Sequence, residues 1–360
     1  MDKINIHRVL LAPLDWGLGH ATRCIPIIRA FQELEVEVII AAEGSVATLL
    51  SLEFPNIRII PLSGYHIQYA NTSAGLFWKL LLQVPKIIWS IRKEHNWLQQ
   101  IIQEEKIDLV ISDNRYGLYS NQIPCVIITH QLIIKAPVKL VERLLQKINY
   151  HFINRYSCCW IPDAGGDKNV AGILSHPKIL PRIPVHYLGI LTRMFSDIKA
   201  NCEYQYCFLL SGPEPQRTIL ENQILSILPQ ISGSIIIVRG LPGSLNSITV
   251  PDTIKVLNHV STDQLTTVLS SSELIICRSG YTSVMELIGL HKKALLIPTP
   301  GQTEQLYLAE KLQKDQRFFM VQQDDLNLLK AIEAAKAFTV QYSEIDIFST
   351  NILEALLLEI

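Results

Sequence analysis

Two short, glycine-containing stretches hold the residue types that could do chemistry. Gly17-Leu18-Gly19-His20 follows the apolar run Arg8–Pro13, and Ser279-Gly280 follows the apolar run Leu274–Cys277. An imidazole titrates near neutral pH, so His20 could remove the proton of an attacking hydroxyl. A glycine-containing turn that opens a helix presents backbone N–H groups and a positive helix end, which together bind phosphate. The pattern therefore indicates a base at the first stretch and a phosphate site at the second.

Each stretch lies between a predicted strand and a predicted helix. Apolar residues recur at helical spacing over Ala21–Leu34 and over Val284–Leu290. Short apolar strands are predicted directly after these helices, at Glu37–Ala41 and Ala294–Ile297. Strand, glycine turn, helix and strand in this order favour parallel βαβ units. Two such units predict an α/β chain with doubly wound sheets.

Glu286 adds a carboxylate to the second stretch. It lies shortly after the start of the predicted helix, where it can reach the hydroxyls of a ribose whose phosphates lie at the helix start. The alternative is that Ser279-Gly280 is only a turn and Glu286 a solvated helix residue. At the first stretch, the alternative is that His20 caps or packs the helix. The first loop falls one glycine short of a dinucleotide fingerprint, so we expect no nicotinamide cofactor.

Composition and charge narrow the class of protein. The chain has 360 residues, of which 48% are hydrophobic and 18% charged, and this fits a globular protein of two domains. Its net charge of −1 gives no support to nucleic-acid binding. The seven cysteines are scattered without a CxxC pair, so we expect neither a zinc site nor a disulfide framework. This cysteine usage fits a protein of the reducing cytoplasm. Neither a signal peptide nor a transmembrane helix is predicted.

The second stretch resembles a known donor-nucleotide signature. RSGYTSVMEL, followed by ALLIPTP and then GQTEQ, resembles that of GT-B glycosyltransferases, in particular the family of the peptidoglycan lipid-intermediate N-acetylglucosaminyltransferase. The resemblance implies that Ser279 and Gly280 hold the donor diphosphate and that Glu286 holds the ribose. It also implies that Gln305 touches the donor sugar, with Gln302 nearby; Glu304 lies in the same segment.

Two further segments correspond to donor-binding parts of that family. A Gly-Ser-rich loop that ends in Arg and binds the diphosphate corresponds here to Ser211, Gly212 and Arg217. This chain has Pro213 and Pro215 where the family has small residues. The family also reads uracil with backbone groups at the position of Val260. The resemblance therefore implies a UDP-sugar donor.

The first stretch resembles motifs of two GT-B families. The peptidoglycan transferase family has a glycine-rich loop that ends in Gly-His here, and GLGHATRC is similar to the GxGHxxRC motif of nucleotide-sugar hydrolases in the pseudaminic acid pathway. In both families the histidine is the base, which implies that role for His20. The backbone amides around Gly17 and Gly19 could also hold a phosphate of the acceptor.

Polar residues follow two further predicted strands. Asp113 follows one strand and His130 follows the next. Loops at the carboxyl ends of strands line the ligand crevice of a doubly wound sheet, so both are candidates on the acceptor side. Asp113 could orient His20 or act as the base itself. Two neighbours are interpreted as turn residues: Arg115 and Thr129.

The segment Ala74–Leu98 combines aromatic and aliphatic residues with lysines and arginines. This composition suits a membrane interface, and a lipid-linked acceptor would explain it. The alternative, which we favour for most of the segment, is a core helix with a solvated face that is kinked or interrupted at Pro85. A second basic group could extend the same patch: Lys139, Arg143 and Lys147.

The resemblance implies a GT-B architecture of two doubly wound Rossmann-like domains with a cleft between them. Residues 1–192 would form the acceptor-side domain, residues 193–343 the nucleotide-sugar-binding domain, and residues 344–360 a helix that packs back on the first domain. The final predicted helix has an apolar face that suits such packing.

These observations predict a glycosyltransferase that moves a sugar from a UDP-sugar to a glycan or lipid-linked acceptor, with His20 and Asp113 as catalytic residues. No DxD motif occurs, and a helix dipole with backbone amides can offset leaving-group charge. We therefore expect a metal-independent, inverting reaction with no cofactor, at or near the inner face of a membrane. A hydrolase of the same donor, supported by GLGHATRC, and a non-catalytic sugar-nucleotide-binding protein are the alternatives.

Overall fold

The structure is a computed structural model that describes residues 6–65, 73–136, 138–195, 201–241, 244–325, 327–342 and 344–360. Within residues 73–84 and at residue 325 it describes the backbone but not the side chains. The described residues form two compact units. The N-terminal unit contains residues 6–65, 78–193 and 344–360, and the C-terminal unit is built from residues 194–342.

The N-terminal unit contains a parallel sheet flanked by helices. Its strands, in chain order, are β1 Arg8–Pro13, β2 Glu37–Ala41, β3 Arg58–Ile60, β4 Leu109–Asp113, β5 Cys125–Ile128, β6 Cys158–Ile161 and β7 Val185–Tyr187. Its helices up to β7 are α1 Leu18–Glu33, α2 Gly44–Glu53, α3 Ser73–Glu105 and α4 Lys139–Ile153. The strand order is β3-β2-β1-β4-β5-β6-β7, and every pairing is parallel.

The C-terminal unit repeats the same plan. Its strands are β8 Tyr204–Leu209, β9 Ile235–Val238, β10 Ile254–Leu257, β11 Ser272–Cys277, β12 Lys293–Leu296 and β13 Phe319–Met320. Its helices are α5 Gln216–Ile227, α6 Thr262–Ser270, α7 Tyr281–Gly289, α8 Thr303–Lys314 and α9 Leu328–Ala337. The order β10-β9-β8-β11-β12-β13 is again parallel throughout.

The end of the chain returns to the N-terminal unit. Ile347 forms a β-bridge with Ile190, and the last helix, α10 Thr350–Leu357, packs against α1. Thr350 donates a hydrogen bond from its hydroxyl to the carboxylate of Glu33 on that helix. Leu353 and Leu357 are buried in this contact region, so the apolar face of α10 supplies core to the unit in which the chain began.

The strands of both sheets are apolar on both faces, so helices must cover both faces of each sheet. The central strands β1, β4, β8 and β11 are almost wholly buried, as expected of parallel strands with helices on either side. In each sheet the strand order reverses once, between β1 and β4 and between β8 and β11. Loops that leave adjacent strands at such a reversal diverge and open a crevice at the carboxyl ends. The predicted pair of doubly wound sheets is confirmed.

Several predicted boundaries differ from the observed ones. Helix α1 begins at Leu18 and not at Ala21, so His20 lies in its first turn and not in the preceding loop. Helix α3 continues through Pro85, so of the predicted kink or interruption the interruption does not occur, and the kink stays a prediction. A proline inside a helix removes one backbone hydrogen bond, and the long helix retains the others. Ser261 is the N-cap of α6 and forms a capping box with Gln264.

The second half of α3 is joined to the loop after β4 by a buried polar cluster. The guanidinium of Arg115 donates to Glu94 Oε1 over 2.7 Å and to the backbone carbonyls of Pro13 and Ser63. Tyr65 donates its hydroxyl to the other oxygen of Glu94, also over 2.7 Å. Burial raises the pKa of Glu94, although Arg115 and Tyr65 oppose this shift. Arg115 is therefore a structural residue of the core and not simply a turn residue.

Replacing Glu94 by Ala should strongly destabilise the N-terminal unit, because it leaves the buried Arg115 guanidinium without its carboxylate. We expect a loss of about 3–5 kcal/mol in the free energy of unfolding, measured by urea titration followed by circular dichroism. Glu37→Ala is the matched control: Glu37 pairs with Arg8 at the surface, and its loss should cost about 0–1 kcal/mol. Equal costs for the two variants would contradict the importance of the cluster.

Candidate functional site

The strand register brings His20 and Asp113 together. Pro13, the last residue of β1, pairs with Asp113, the last residue of β4. The loop after β1 therefore starts beside Asp113, and α1 begins soon enough to place His20 above it. His20 Nδ1 lies 2.9 Å from Asp113 Oδ2. Asp113 is fully buried, whereas the His20 side chain is 18% exposed.

The charge state of Asp113 indicates which ring nitrogen of His20 carries the proton. Burial acts to raise the pKa of Asp113, but the neighbouring Arg23 and His20 outweigh it and lower the pKa to about 2. An ionised carboxylate accepts a hydrogen bond, so His20 donates from Nδ1–H. No described residue forms a hydrogen bond with His20 Nε2. This nitrogen can therefore accept a proton from a substrate hydroxyl.

Arg23 is a site residue that the sequence reasoning did not single out. Its Nε donates to Asp113 Oδ2 over 2.9 Å, and one terminal nitrogen donates to Oδ1. The other terminal nitrogen donates to His130 Nδ1 over 3.1 Å, which places His130 in the same buried group. Arg23 follows His20 by three residues, a spacing that puts both on one helix face. The three-residue spacing of His20 and Arg23 is present in GLGHATRC. A helix predicted to begin at Ala21 leaves His20 outside it, so the spacing does not put the two residues on one helix face.

The glycines of this loop differ in what they do. Gly17 is the N-cap of α1 and has a φ of +154°, which side chains rarely adopt, so glycine is required there. Gly19 is exposed, and its carbonyl accepts a hydrogen bond from the Thr22 hydroxyl. A role for Gly17 or Gly19 in acceptor binding stays a prediction.

Thr129 is buried, and its Oγ1 accepts from the backbone N–H of Gln131.

In the C-terminal unit the register aligns three loops. Leu209 of β8 pairs with Cys277 of β11, and Cys277 pairs with Leu296 of β12. The loops that follow these strands therefore begin at one level of the sheet. They carry Ser211 and Gly212, Ser279 and Gly280, and the segment that leads to Gln302 and Gln305.

Hydrogen bonds tie the Ser-Gly turn to the start of α8. The hydroxyl of Ser279 donates to the backbone carbonyl of Gln305 over 2.9 Å. The side chain of Gln305 accepts from the N–H of Thr299 over 2.8 Å and donates to Gln302 Oε1 over 2.5 Å. The structure thus brings together Ser279, Gln302 and Gln305. Their side chains stabilise the loops, and a role in sugar contact stays a prediction.

Two glycines of these loops face different constraints. Gly212 has a φ of +101° and so occupies a conformation that favours glycine. Gly280, the N-cap of α7, has an ordinary φ of −65°. A Cβ added at Gly280 would meet no atom within 4 Å, so neither the backbone nor the surrounding packing requires glycine there. The space above this helix start remains open for a ligand.

Arg278 is a second residue that the sequence reasoning missed. It lies directly before Ser279 and is 1% exposed. Its guanidinium donates to the carbonyls of Gln216, Ile297 and Pro298, which belong to α5 and to the loop after β12. Among the described residues no carboxylate pairs with it, and burial lowers its pKa to about 10. A buried positive charge is therefore carried by the residue directly before the Ser-Gly turn.

The remaining predicted donor residues lie in three places. Arg217 on α5 is engaged by two carboxylates, Glu214 Oε1 at 2.6 Å and Glu221 Oε2 at 2.7 Å. Val260 is half-buried and precedes the N-cap of α6. Glu286 lies on α7 and is 6% exposed. The donor-binding roles of these residues stay predictions, and the ion pairs of Arg217 compete with the role proposed for it.

The outward face of α4 is unusual for its combination of charge and apolar surface. Leu140, Leu144 and Ile148 recur every four residues and are 74%, 57% and 47% exposed. A parallel row of exposed basic residues runs beside them: Lys139, Arg143 and Lys147. Trp89 on α3 is also exposed, with Lys93 Nζ 5.5 Å from its ring centroid. For the predicted patch in Ala74–Leu98, the side chains up to residue 84 lie outside the described residues.

Two kinds of feature are absent from the described residues. No helix there is long and apolar enough to cross a membrane. No group of three or more histidine, cysteine, aspartate or glutamate side chains in that part of the chain could hold a metal ion.

A protein-family model matches the segment that contains the Ser279-Gly280 stretch. Residues 244–344 match the glycosyltransferase family 28 C-terminal domain, a range that includes Ser279, Gly280, Glu286, Gln302 and Gln305. No curated protein matches the sequence.

Solved structures match nearly the whole chain. The glycosyltransferase SnogD from Streptomyces nogalater aligns with a TM-score of 0.61 and 14% identity, covering 98% of this chain and 100% of its own. MurG of Acinetobacter baumannii aligns with a TM-score of 0.54 and 14% identity over 98% and 94%. SsfS6 of Streptomyces sp. SF2575, complexed with thymidine diphosphate, aligns with a TM-score of 0.61 and 10% identity over 98% and 100%.

At these identities the structural matches establish the fold, and the family match applies to residues 244–344. The predicted GT-B fold and the resemblance to family 28 are both confirmed. Residues 244–344 form a glycosyltransferase family 28 C-terminal domain, and the chain is a glycosyltransferase with the GT-B fold.

Proposed function

We propose that this glycosyltransferase moves a sugar from a nucleoside diphosphate sugar to the hydroxyl of a glycan or lipid-linked acceptor, with inversion and without a metal. The observation that carries the proposal is the His20–Asp113 pair. A buried, ionised carboxylate holds one nitrogen of an imidazole, and no described residue bonds to the other nitrogen. Such a pair is suited to general base catalysis.

The reaction on the acceptor side follows from this pair. His20 Nε2 removes the proton of the acceptor hydroxyl while the oxygen attacks the anomeric carbon of the donor sugar. Asp113 stabilises the imidazolium that forms and keeps the ring oriented. The bond between the anomeric carbon and the diphosphate oxygen breaks, and the nucleoside diphosphate leaves with the electron pair. The proton then passes from His20 to solvent.

The donor side uses the start of α7. Gly280 leaves open space above the helix start, and the helix dipole together with the buried charge of Arg278 favours a diphosphate there. The same charges stabilise the diphosphate as it departs. Glu286, further along α7, accepts hydrogen bonds from the ribose hydroxyls. The resemblance favours uridine as the base, and SsfS6, a structural neighbour, was complexed with thymidine diphosphate.

We also propose that the outward face of α4 docks on an anionic lipid surface. Leu140, Leu144 and Ile148 supply an apolar row, and the basic row beside it complements anionic headgroups. Phe152 of α4 packs on a cluster that includes Leu14, directly after β1. Docking through α4 would thus bring a lipid-linked acceptor to the unit that contains His20. The proposed location is peripheral, on the inner face of the membrane.

Replacing His20 by Asn should abolish most of the transfer activity, because Asn cannot accept the proton. We expect a fall in rate of about 10²–10⁴-fold with little change in donor affinity. The assay measures nucleoside diphosphate release from a panel of UDP- and other NDP-sugars, with and without a lipid extract. His7→Asn, at an exposed histidine of the same unit, should release as much as the wild type.

The same assay separates the alternatives. Rapid release without any acceptor would identify a hydrolase of the donor, and donor binding with no release under any condition would favour a non-catalytic binding protein. Unchanged transfer by the His20 variant would refute the base assignment.

Donor binding gives a second test that needs no acceptor. Gly280→Ala should fold with a loss of at most about 1 kcal/mol, because its Cβ enters open space at a helix N-cap. It should nevertheless weaken donor binding by about tenfold or more, since the Cβ occupies the proposed diphosphate site. Isothermal titration calorimetry with the NDP-sugar panel measures both this variant and Glu286→Gln, for which we also expect weaker binding.

Glu273→Gln is the control for this series, because Glu273 is exposed on β11 of the same unit. The wild type should bind at least one NDP-sugar with a sub-millimolar Kd. Wild-type affinity in Gly280→Ala would refute the placement of the diphosphate, and no binding across the panel would refute the donor site as a whole.

Membrane docking is tested by flotation of the full chain with vesicles. Vesicles that contain phosphatidylglycerol should retain the protein, whereas phosphatidylcholine vesicles should not. Leu144→Glu and Arg143→Glu should each weaken retention by about fivefold or more, because they remove apolar contact and charge complementarity. Leu52→Glu, at an exposed leucine of α2, is the matched control. Equal retention of all three variants would mean that α4 does not dock.

A further inference from the structure

A carboxylate beside a histidine normally favours the imidazolium, because opposite charges attract. A base for a hydroxyl must instead be neutral before the reaction. In this chain the carboxylate of Asp113 touches His20, yet a guanidinium touches that same carboxylate. The arrangement poses the question of what Arg23 does for the proposed base.

Arg23 holds Asp113 by a two-point contact. Nε donates to one carboxylate oxygen and a terminal nitrogen donates to the other, which is the fork geometry that fixes a carboxylate in orientation. Both side chains are buried, with exposed fractions of 2% and 0%. The positive charge of Arg23 therefore neutralises the negative charge of Asp113, whatever the charge of His20.

The same guanidinium also reaches both histidines. Its second terminal nitrogen donates to His130 Nδ1, and because arginine can only donate, that nitrogen of His130 must be unprotonated. The nitrogen that binds Asp113 Oδ1 also lies 2.9 Å from His20 Nδ1. Because His20 Nδ1 donates its proton to the ionised Asp113, this second approach is a contact between two donors and not a hydrogen bond. Adding a proton to His20 would place a second positive charge against Arg23.

We propose that Arg23 is a positioning residue that neutralises and orients Asp113, and thereby keeps His20 in the neutral form with its proton on Nδ1. This inference rests on the proposed role of His20 as the base. It assigns to the arginine of GLGHATRC a task that is separate from binding substrate. It also gives His130 a place as a hydrogen-bond partner of Arg23.

The groups that face His20 agree with this assignment. They are Arg23 on α1, Asp113 at the end of β4 and His130 after β5, with Cys24 donating to Asp113 from its Sγ over 3.8 Å. Burial lowers the pKa of His20 below its usual 6.5, and Arg23 lowers it further; the charge and hydrogen bond of Asp113 oppose them without reversing the shift. Burial also raises the pKa of Cys24, so its thiol stays neutral.

The lowered pKa of His20 determines the direction of the pH dependence. Because the pKa of His20 is lowered, the neutral base persists in mildly acidic solution, and the acid limb of the rate profile should lie below pH 6.5. Removing the Arg23 charge favours the imidazolium, so the limb should move to higher pH. A merely structural role for Arg23 would lower activity at every pH without moving the limb.

The primary test is an NMR titration of the full chain labelled with ¹³C and ¹⁵N in histidine, with the His20 signal assigned from His20→Asn. In the wild type we expect a His20 midpoint below 6.5 and the Nδ1–H tautomer at neutral pH. Arg23→Gln should raise the midpoint, and Arg23→Lys, which keeps the charge, should return it towards the wild-type value. Arg29→Gln is the control, because Arg29 lies on the same helix and pairs with Glu53 at the surface.

Each outcome decides the question. A wild-type midpoint above 6.5, or the Nε2–H tautomer, overturns the proposal even if Arg23→Gln fails to fold. An unchanged midpoint in a folded Arg23→Gln variant also overturns it. The titration needs neither donor nor acceptor, so a failure of the proposed transfer reaction would appear separately, as absent nucleoside diphosphate release. Where release is measurable, its acid limb should shift upward in Arg23→Gln and not in Arg29→Gln.

Discussion

The reversal of strand order at the centre of each sheet is the constraint on which the rest of the structure depends. Because β1 and β4 are neighbours that lead their helices in opposite directions, the loops after them diverge, and the residues at their ends meet across the gap. His20 and Asp113 are 93 residues apart in sequence and meet for this reason. The same reversal between β8 and β11 sets Gly212 and Gly280 on neighbouring loops. One topology thus generates both candidate sites.

Buried arginines are stabilised in two different ways in this chain. In the N-terminal unit, the carboxylates of Asp113 and Glu94 each have an arginine partner, and these partners hold the loop residues around β1 and β4 in place. In the C-terminal unit, the two terminal nitrogens of Arg278 donate to backbone carbonyls, which carry no full negative charge, and its Nε is buried without a partner among the described residues. A paired charge fixes geometry, whereas an unmatched charge retains the capacity to attract a ligand of opposite sign.

Patterns over a few consecutive residues predict the strands and the fold class. Apolar runs located β1 at Arg8–Pro13 and β2 at Glu37–Ala41, and the βαβ order predicted doubly wound sheets. The sequence also links Asp113 to His20, because both follow predicted strands of one sheet. The contact of Arg23 with Asp113 and the contacts of Arg278 could not be predicted, since these partners lie on other segments that the fold brings near. Only the proximity of Arg23 to His20 follows from their spacing. A three-residue error in the start of α1 was enough to separate Arg23 from His20.

The return of the chain to its first unit has a consequence for recombination. Residues 344–360 pair with Ile190 and pack on α1, so the N-terminal unit is complete only when both ends of the chain are present. A hybrid enzyme that takes its donor half from a relative therefore needs two junctions, one near Arg193 and one near Glu344. A single junction would replace α10 with a foreign helix. Compatibility of that short helix with α1 would then decide which hybrids fold.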